Sequence, residues 1–178
     1  GGKSTAIRWD LIVLCLENPG LQAYLFRRTL PELRKTHINK LRADFPDHIG
    51  LGKWSEEQKT FHWTNGSALS MCYCENEEDV RRYLSEEMHV IALDEASTFT
   101  PTQIGFLKTR NRLGDWTPAK DAHRLPRFIM GSNPGGPSHA MLKRTFIDAA
   151  PPETLFYDAS MRDDEDVTDK GWSSVFIP

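Results

Sequence analysis

The sequence lacks the marks of several protein classes. Its 178 residues hold only three cysteines, Cys15, Cys72 and Cys74. An odd number cannot close into disulfides alone, and the sequence shows no secretory leader, so the expectation is reduced thiols inside a cell. Cys72 and Cys74 are accompanied by neither a second pair nor the closely spaced histidines of a tetrahedral zinc site, and they read as structural. The longest apolar run, Leu11 to Leu16, is far short of the roughly 20 residues that cross a bilayer, which predicts a soluble chain without a membrane partner. There is no basic excess either. The 22 Lys and Arg face 25 Asp and Glu for a formal charge of -3, so any contact with nucleic acid has to be local. Internal repeats and low-complexity segments are absent. What remains is an ordinary globular balance, 39% hydrophobic and 26% charged, enough for one sizeable core.

Within that balance the chain alternates between two apolar periods. Ile7, Leu11 and Leu14 recur at helical spacing from Lys3 to Glu17, and Asn18-Pro19-Gly20 ends that helix. Ala23 to Phe26 is a short buried strand, followed by a helix that opens near Pro31 and carries Ile38, Leu41 and Phe45 to a stop at Pro46. Lys59 to Thr64 and Ser67 to Tyr73 flank Asn65-Gly66, a dipeptide suited to a two-residue hairpin turn. Glu75 to Glu87 reads as a surface helix, and Val90 to Leu93 as a buried strand ending in Asp94-Glu95. Thr100-Pro101 opens a helix with Ile104, Leu107 and Leu113 inward, before a polar loop from Gly114 to Arg124. Arg127 to Gly131 is the next strand, then Ala140 to Ile147 a helix and Thr154 to Tyr157 a last strand. The acidic run Asp163 to Asp166 reads as a solvated loop. Alternating strands and helices predict an α/β fold with a mainly parallel sheet, helices on both faces and an inserted β-hairpin. Its ligand site is then expected at the carboxyl ends of the strands.

Three of those features can carry chemistry. The chain opens on GGKST without an initiator methionine, and the expectation is a fragment that begins inside its own phosphate-binding loop, G-x-x-x-x-G-K-[ST]. Gly2 would let the backbone approach phosphates, helix-start amides would donate to them, Lys3 would neutralise charge and Ser4 would hold magnesium. About ninety residues later, Asp94 and Glu95 stand adjacent at a strand end: one acid to orient a magnesium ion's water shell, the next to polarise an attacking water. Capping of the following turn is their plainer role. Ser132-Asn133 ends the next strand, where a polar side chain could sense a γ-phosphate, although Ser, Asn, Pro and Gly are also the residues turns prefer. Arg27 to Arg42 gathers six basic residues against Glu32 alone; this is either a DNA-phosphate or subunit contact led by Arg27 and Arg28, or a solvated helix face. His139, beside Lys143 and Arg144, is a further phosphate candidate, though a lone histidine is more often packed or solvated.

FRRTLPELRKTHINK, the WTNGS hairpin, YCENEEDVRRY, VIALDEASTFT and GSNPGGPSHAMLKRTFID together resemble the ATPase segments of phage terminase large subunits, in the same order. The resemblance covers Gly1 to about Asp148. It implies an ATPase of the P-loop type that belongs to the additional-strand, catalytic-glutamate (ASCE) class and drives double-stranded DNA into a procapsid. ATP and Mg2+ are then the expected ligands. Gly1, Gly2, Lys3, Ser4 and Thr5 match the end of Walker A, Asp94 and Glu95 the Walker B pair, and Ser132 and Asn133 the motif that couples hydrolysis to movement. The implied partners are duplex DNA, the terminase small subunit, the portal protein and further copies of the chain in a ring. The implied location is the host cytoplasm, transiently on the procapsid.

On this reading residues 1–158 are the motor domain without its first strand and the start of Walker A. Residues 159–178 then begin a linker towards a nuclease domain that the chain does not include. Some relatives place an arginine finger eleven residues before the catalytic glutamate, where this chain has Leu84; either Arg81 or Arg82 substitutes, or the finger lies in the part of the phosphate loop expected before Gly1. Two other readings stay open: a helicase-like nucleic-acid ATPase, and a folded remnant without catalysis.

Overall fold

The computed structural model describes residues 2–120 and 122–148. Helix α1 (Lys3–Glu17) leads into strand β1 (Gln22–Arg27). A helical segment follows in three parts: α2 (Leu30–Leu33), a π-helical turn (Arg34–Ile38) and α3 (Asn39–Asp44). Strands β2 (Gly52–Ser55), β3 (Thr60–Trp63), β4 (Ala68–Tyr73), β5 (Val90–Asp94) and β6 (Arg127–Gly131) complete one six-stranded sheet of order β2-β3-β4-β1-β5-β6. Helices α4 (Pro101–Arg110) and α5 (His139–Lys143) follow β5 and β6. Strands β4, β1, β5 and β6 run parallel, whereas β2 and β3 add antiparallel at one end. This is the expected α/β arrangement, a mostly parallel sheet with helices on both faces.

Strand alternation makes the two cores. On one face Leu25, Met71 and Ala92 pack beneath Leu11, Ile12 and Cys15 of α1 and beneath Leu33, Ile38 and Leu41. On the other, Phe26, Ile91 and Leu93 meet Phe99, Ile104 and Leu107. Each fully buried Leu or Phe contributes about 1.5–3 kcal/mol, so these layers fix where the strand ends point. The cysteines belong to this packing: all three are buried, and burial pushes the thiols of Cys15 and Cys74 up to about 12.

Several elements depart from expectation. The Asn65-Gly66 turn is wider than two residues, and only Gly66 takes a positive φ, +84°. Asn65 is engaged elsewhere, donating through Nδ2 to the Cys15 carbonyl and accepting from Ser67. The hairpin gains a third strand, β2, whose short polar sequence GKWS gives no alternation to read. The segment from Glu75 to Glu87 is not an α-helix; its regular part is a 3-10 segment, Glu77–Tyr83, started by reciprocal Asn76 and Asp79 capping. The helix after Pro101 stops at Arg110, so Leu113 lies beyond it. The Pro31 helix is broken by the π-helical turn, and α5 passes into a second one at Arg144–Asp148. Thr154 to Tyr157 and Asp163 to Asp166 lie outside the described residues. Among those described, no helix is long and apolar enough to cross a membrane.

The end of the sheet away from the strands' carboxyl termini is pinned by His89. Its ring stacks on Trp116 at 4.2 Å, Trp116 donates to the Pro19 carbonyl, and His89 Nδ1 accepts from the Gln22 backbone N–H at 3.1 Å. Burial lowers the His89 pKa, only partly opposed by Glu87. An imidazole that accepts at Nδ1 must be unprotonated there. Its contribution to stability is therefore complete above the unfolded value, about 6.5, and is lost as pH falls from there towards the lowered folded value. In His89→Asn the amide oxygen takes the place of Nδ1 without titrating. We expect a lower melting temperature near neutrality but a shallower decline between about pH 7.5 and about pH 5, checked by thermal melts of both proteins.

Candidate functional site

Four parallel strands deliver their carboxyl ends to one side of the sheet, and α1 starts on that side. Gly2 precedes the helix and its carbonyl accepts from the Ala6 N–H. Lys3 and Ser4 of the first turn, Asp94 and Glu95 at the end of β5, and Gly131, Ser132 and Asn133 at the end of β6 line a single cleft of about 200 Å3. Five candidates from three separate stretches of sequence therefore converge with Glu95. Ser4 Oγ donates to Asp94 Oδ1 at 3.1 Å, joining the start of α1 to the end of β5. Gly1 lies outside the described residues, while Gly2 and Thr5 are exposed and do not line the cleft.

The acid pair sits in two different environments. Asp94 is 2% exposed. Its Oδ2 accepts from Arg27 at 2.9 Å and from His37 Nε2 at 2.9 Å. Burial alone would raise the Asp94 pKa, but the bonds from His37 and Ser4 and the charge of Arg27 outweigh it and hold the carboxyl below its ordinary value. Glu95 is more open and occupies the left-handed region, φ +59°, ψ +50°, unusual for a residue with a side chain. Thr98 secures that geometry, donating from both its backbone N–H and its hydroxyl to the Glu95 carbonyl.

Arg27 is where the structure corrects the sequence reading. Read as either a DNA or subunit contact or part of a solvated helix face, and on both readings exposed, it is 8% exposed, with its guanidinium on Asp94, on Glu95 at 2.6 Å and on Thr36 Oγ1 at 2.8 Å. The reason is register. Phe26 pairs with Leu93 across β1 and β5, so the next residues, Arg27 and Asp94, leave neighbouring strands side by side. Arg28 is also engaged inward, donating to the Cys74 carbonyl and to Gln103 Oε1, both at 3.0 Å. Of the other basic residues of that stretch, Arg34 and Arg42 pair with Glu56, and Lys35 and Lys40 are exposed. Arg82 pairs with Asp79 and lies over the Tyr73 ring, and Arg81 is exposed; neither lines the cleft. His139 is exposed, and Lys143 pairs with Asp148.

The loop after β6 is fastened to the turn after Glu95. The Ser97 N–H donates to Ser132 Oγ and the Ser97 hydroxyl to the Asn133 carbonyl. The Ser138 N–H donates to the Ser97 carbonyl, and its hydroxyl donates to the Phe99 carbonyl at 2.7 Å. Gly136, at φ +88°, presses on this contact: a Cβ there would meet the Ser97 carbonyl oxygen at 2.4 Å. A second opening of about 290 Å3, lined by Glu95, Ser97, Thr98 and the Asn133–Gly136 loop, adjoins the first. Gly136→Ala combines a left-handed backbone with a clash against another backbone. It should cost about 1–3 kcal/mol of stability, read by urea denaturation.

The roles of two residues at the site, Arg27 and His37, escaped the sequence reading. Leu33, His37 and Leu41 recur every four residues, so a histidine on an apolar stripe was the available signal. For Arg27 the signal was a charge directly after a buried strand.

Among solved structures the chain is similar to the large terminase from a thermophilic bacteriophage, with a TM-score of 0.57 and 12% sequence identity. The match covers 82% of this chain and 33% of that one, so the chain spans about a third of that protein's length. The fold is terminase-like, and the likeness is one of fold. No protein-family model matches the sequence, and no curated protein matches it.

Proposed function

We propose that the chain is the ATP-hydrolysing motor portion of a viral DNA-packaging terminase large subunit. The observation that carries the reading is the Ser4–Asp94 hydrogen bond at 3.1 Å, which joins a helix-start hydroxyl and a strand-end carboxylate in the cleft that Lys3 and Glu95 also line. A random Gly-Lys-Ser has no reason to meet such an acid pair at the carboxyl ends of a parallel sheet. The terminase-like fold supports the same reading.

The residues fit a magnesium nucleotide. Mg2+ prefers hard oxygen donors, keeps several waters and takes one or two protein oxygens beside substrate phosphates. Ser4 Oγ and Asp94 Oδ1 are such a pair, and Lys3 is the cation for the phosphates. The ion would supply charge neutralisation at the phosphates. The α1 amides, unpaired at a helix start, would donate to phosphate oxygens. Glu95, the more open acid, would accept a proton from the attacking water. Its ion pair with Arg27 fixes its place, so Arg27 sets the position of the base. Asn133, at the junction of the two clefts, would face the transferring phosphoryl group. Duplex DNA, small subunit, portal and ring neighbours remain the proposed partners. With Arg27 turned inward, Lys35 and Lys40 are better placed for phosphates, and exposed Arg81 is the better placed of the two finger candidates to act on a neighbouring subunit's site.

The test is steady-state ATP hydrolysis with duplex and single-stranded DNA. Glu95→Gln should lower kcat by about 100-fold or more while nucleotide affinity stays within a few-fold, and Lys3→Ala should weaken binding itself. Unchanged turnover in Glu95→Gln sinks the assignment. Stimulation by single strands alone would favour a helicase-like track, and ATP binding weaker than about 1 mM by calorimetry would favour a remnant.

A further inference from the structure

The polar cluster behind the cleft contains a residue that neither chemistry nor packing alone explains. His37 is fully buried. It lies in the π-helical turn Arg34–Ile38, and such turns recur at functional sites. That turn presents two neighbours to the site. Thr36 takes Arg27 on its hydroxyl at 2.8 Å and Arg8 of α1 on its carbonyl at 3.4 Å, while His37 Nε2 meets Asp94 Oδ2 at 2.9 Å. Burial lowers the His37 pKa, with Asp94 opposing. Because a carboxylate only accepts, Nε2 carries the proton and donates it. Nδ1 is buried and without a hydrogen-bond partner. An apolar side chain would leave no such orphan, so the donor at Nε2 is what the imidazole supplies.

Donors are divided unequally over the Asp94 carboxylate. Oδ2 receives both Arg27 and His37, whereas Oδ1 receives Ser4. A carboxylate held at one oxygen by two donors from different elements cannot rotate about its terminal torsion. Its other oxygen is fixed beside Ser4. Arg27 cannot do this alone, because the same guanidinium also holds Glu95 and Thr36.

We infer that His37 is a positioning residue for the acid pair: its Nε2–H locks Asp94 so that Oδ1 stays beside Ser4 as the oxygen that serves the metal-nucleotide. The inference rests on the proposed function. Partners of this kind, one layer behind the ligand, typically change metal affinity or activity by about 10–100-fold when removed.

Calorimetry of ADP binding, in magnesium and again in chelator, isolates the effect from general loss of structure. The full chain and the variants His37→Leu and His37→Gln are compared, with kcat and KM measured alongside. In the wild type magnesium should tighten ADP binding. His37→Leu should shrink that gain by about tenfold, leave the affinity in chelator unchanged and lower kcat more than it raises KM. His37→Gln, whose amide N–H reaches the position of Nε2, should restore most of the gain. If His37→Leu loses its cooperative melt, His37→Asn replaces it; it is polar but too short to reach Asp94, and the expectation is the same. A wild-type gain that persists in the short or apolar variant overturns the inference while leaving the ATPase reading intact. Absence of magnesium-dependent binding in the wild type overturns that reading and the inference with it.

Discussion

The carboxylate of Asp94 is the constraint on which the rest of the site depends. It is a charge almost sealed from solvent, and a buried charge is tolerated only when its lone pairs are met. Meeting them takes Ser4 from the first turn of α1, Arg27 from the end of β1 and His37 from the π-helical turn. Three segments separated widely in sequence are thereby tied to β5. Removing one partner of such a group typically costs about 3–5 kcal/mol, because the remaining charge stays buried and unmatched. The same arrangement that makes the acid expensive to bury also makes its position definite.

Arg27 extends that constraint outward. Its guanidinium spans the buried acid and the more open one, so the two carboxylates share a single cation while keeping different exposures. Division of labour between adjacent acids then needs no difference in residue type. It follows from both side chains lining the cleft while only Asp94 also reaches the π-helical turn, through Oδ2.

Much of the fold was legible from apolar period. The β5 run VIALD and the α1 stripe carry strong patterns because each buries a whole face, and strand-end acids after such a run announce a site. The wide turn at Asn65, the strand Gly52–Ser55 and the 3-10 segment Glu77–Tyr83 were not legible, since each is settled by contacts across the fold and not by local preference. The same holds for Arg27. As a residue in a basic stretch it looks like a surface charge, and only the β1–β5 register brings it against Asp94. His37 was half visible: its spacing with Leu33 and Leu41 marks a buried position, but its partner is a residue 57 positions away.

The staple between Ser97 and the loop after β6 has a mechanical consequence. Ser97 lies two residues beyond Glu95 and is bonded to both ends of the Ser132–Ser138 loop, and Ser138 immediately precedes α5. Gly136 packs its backbone directly against Ser97 at that joint. The left-handed Glu95 turn and the start of α5 are therefore held by the same residue, Ser97.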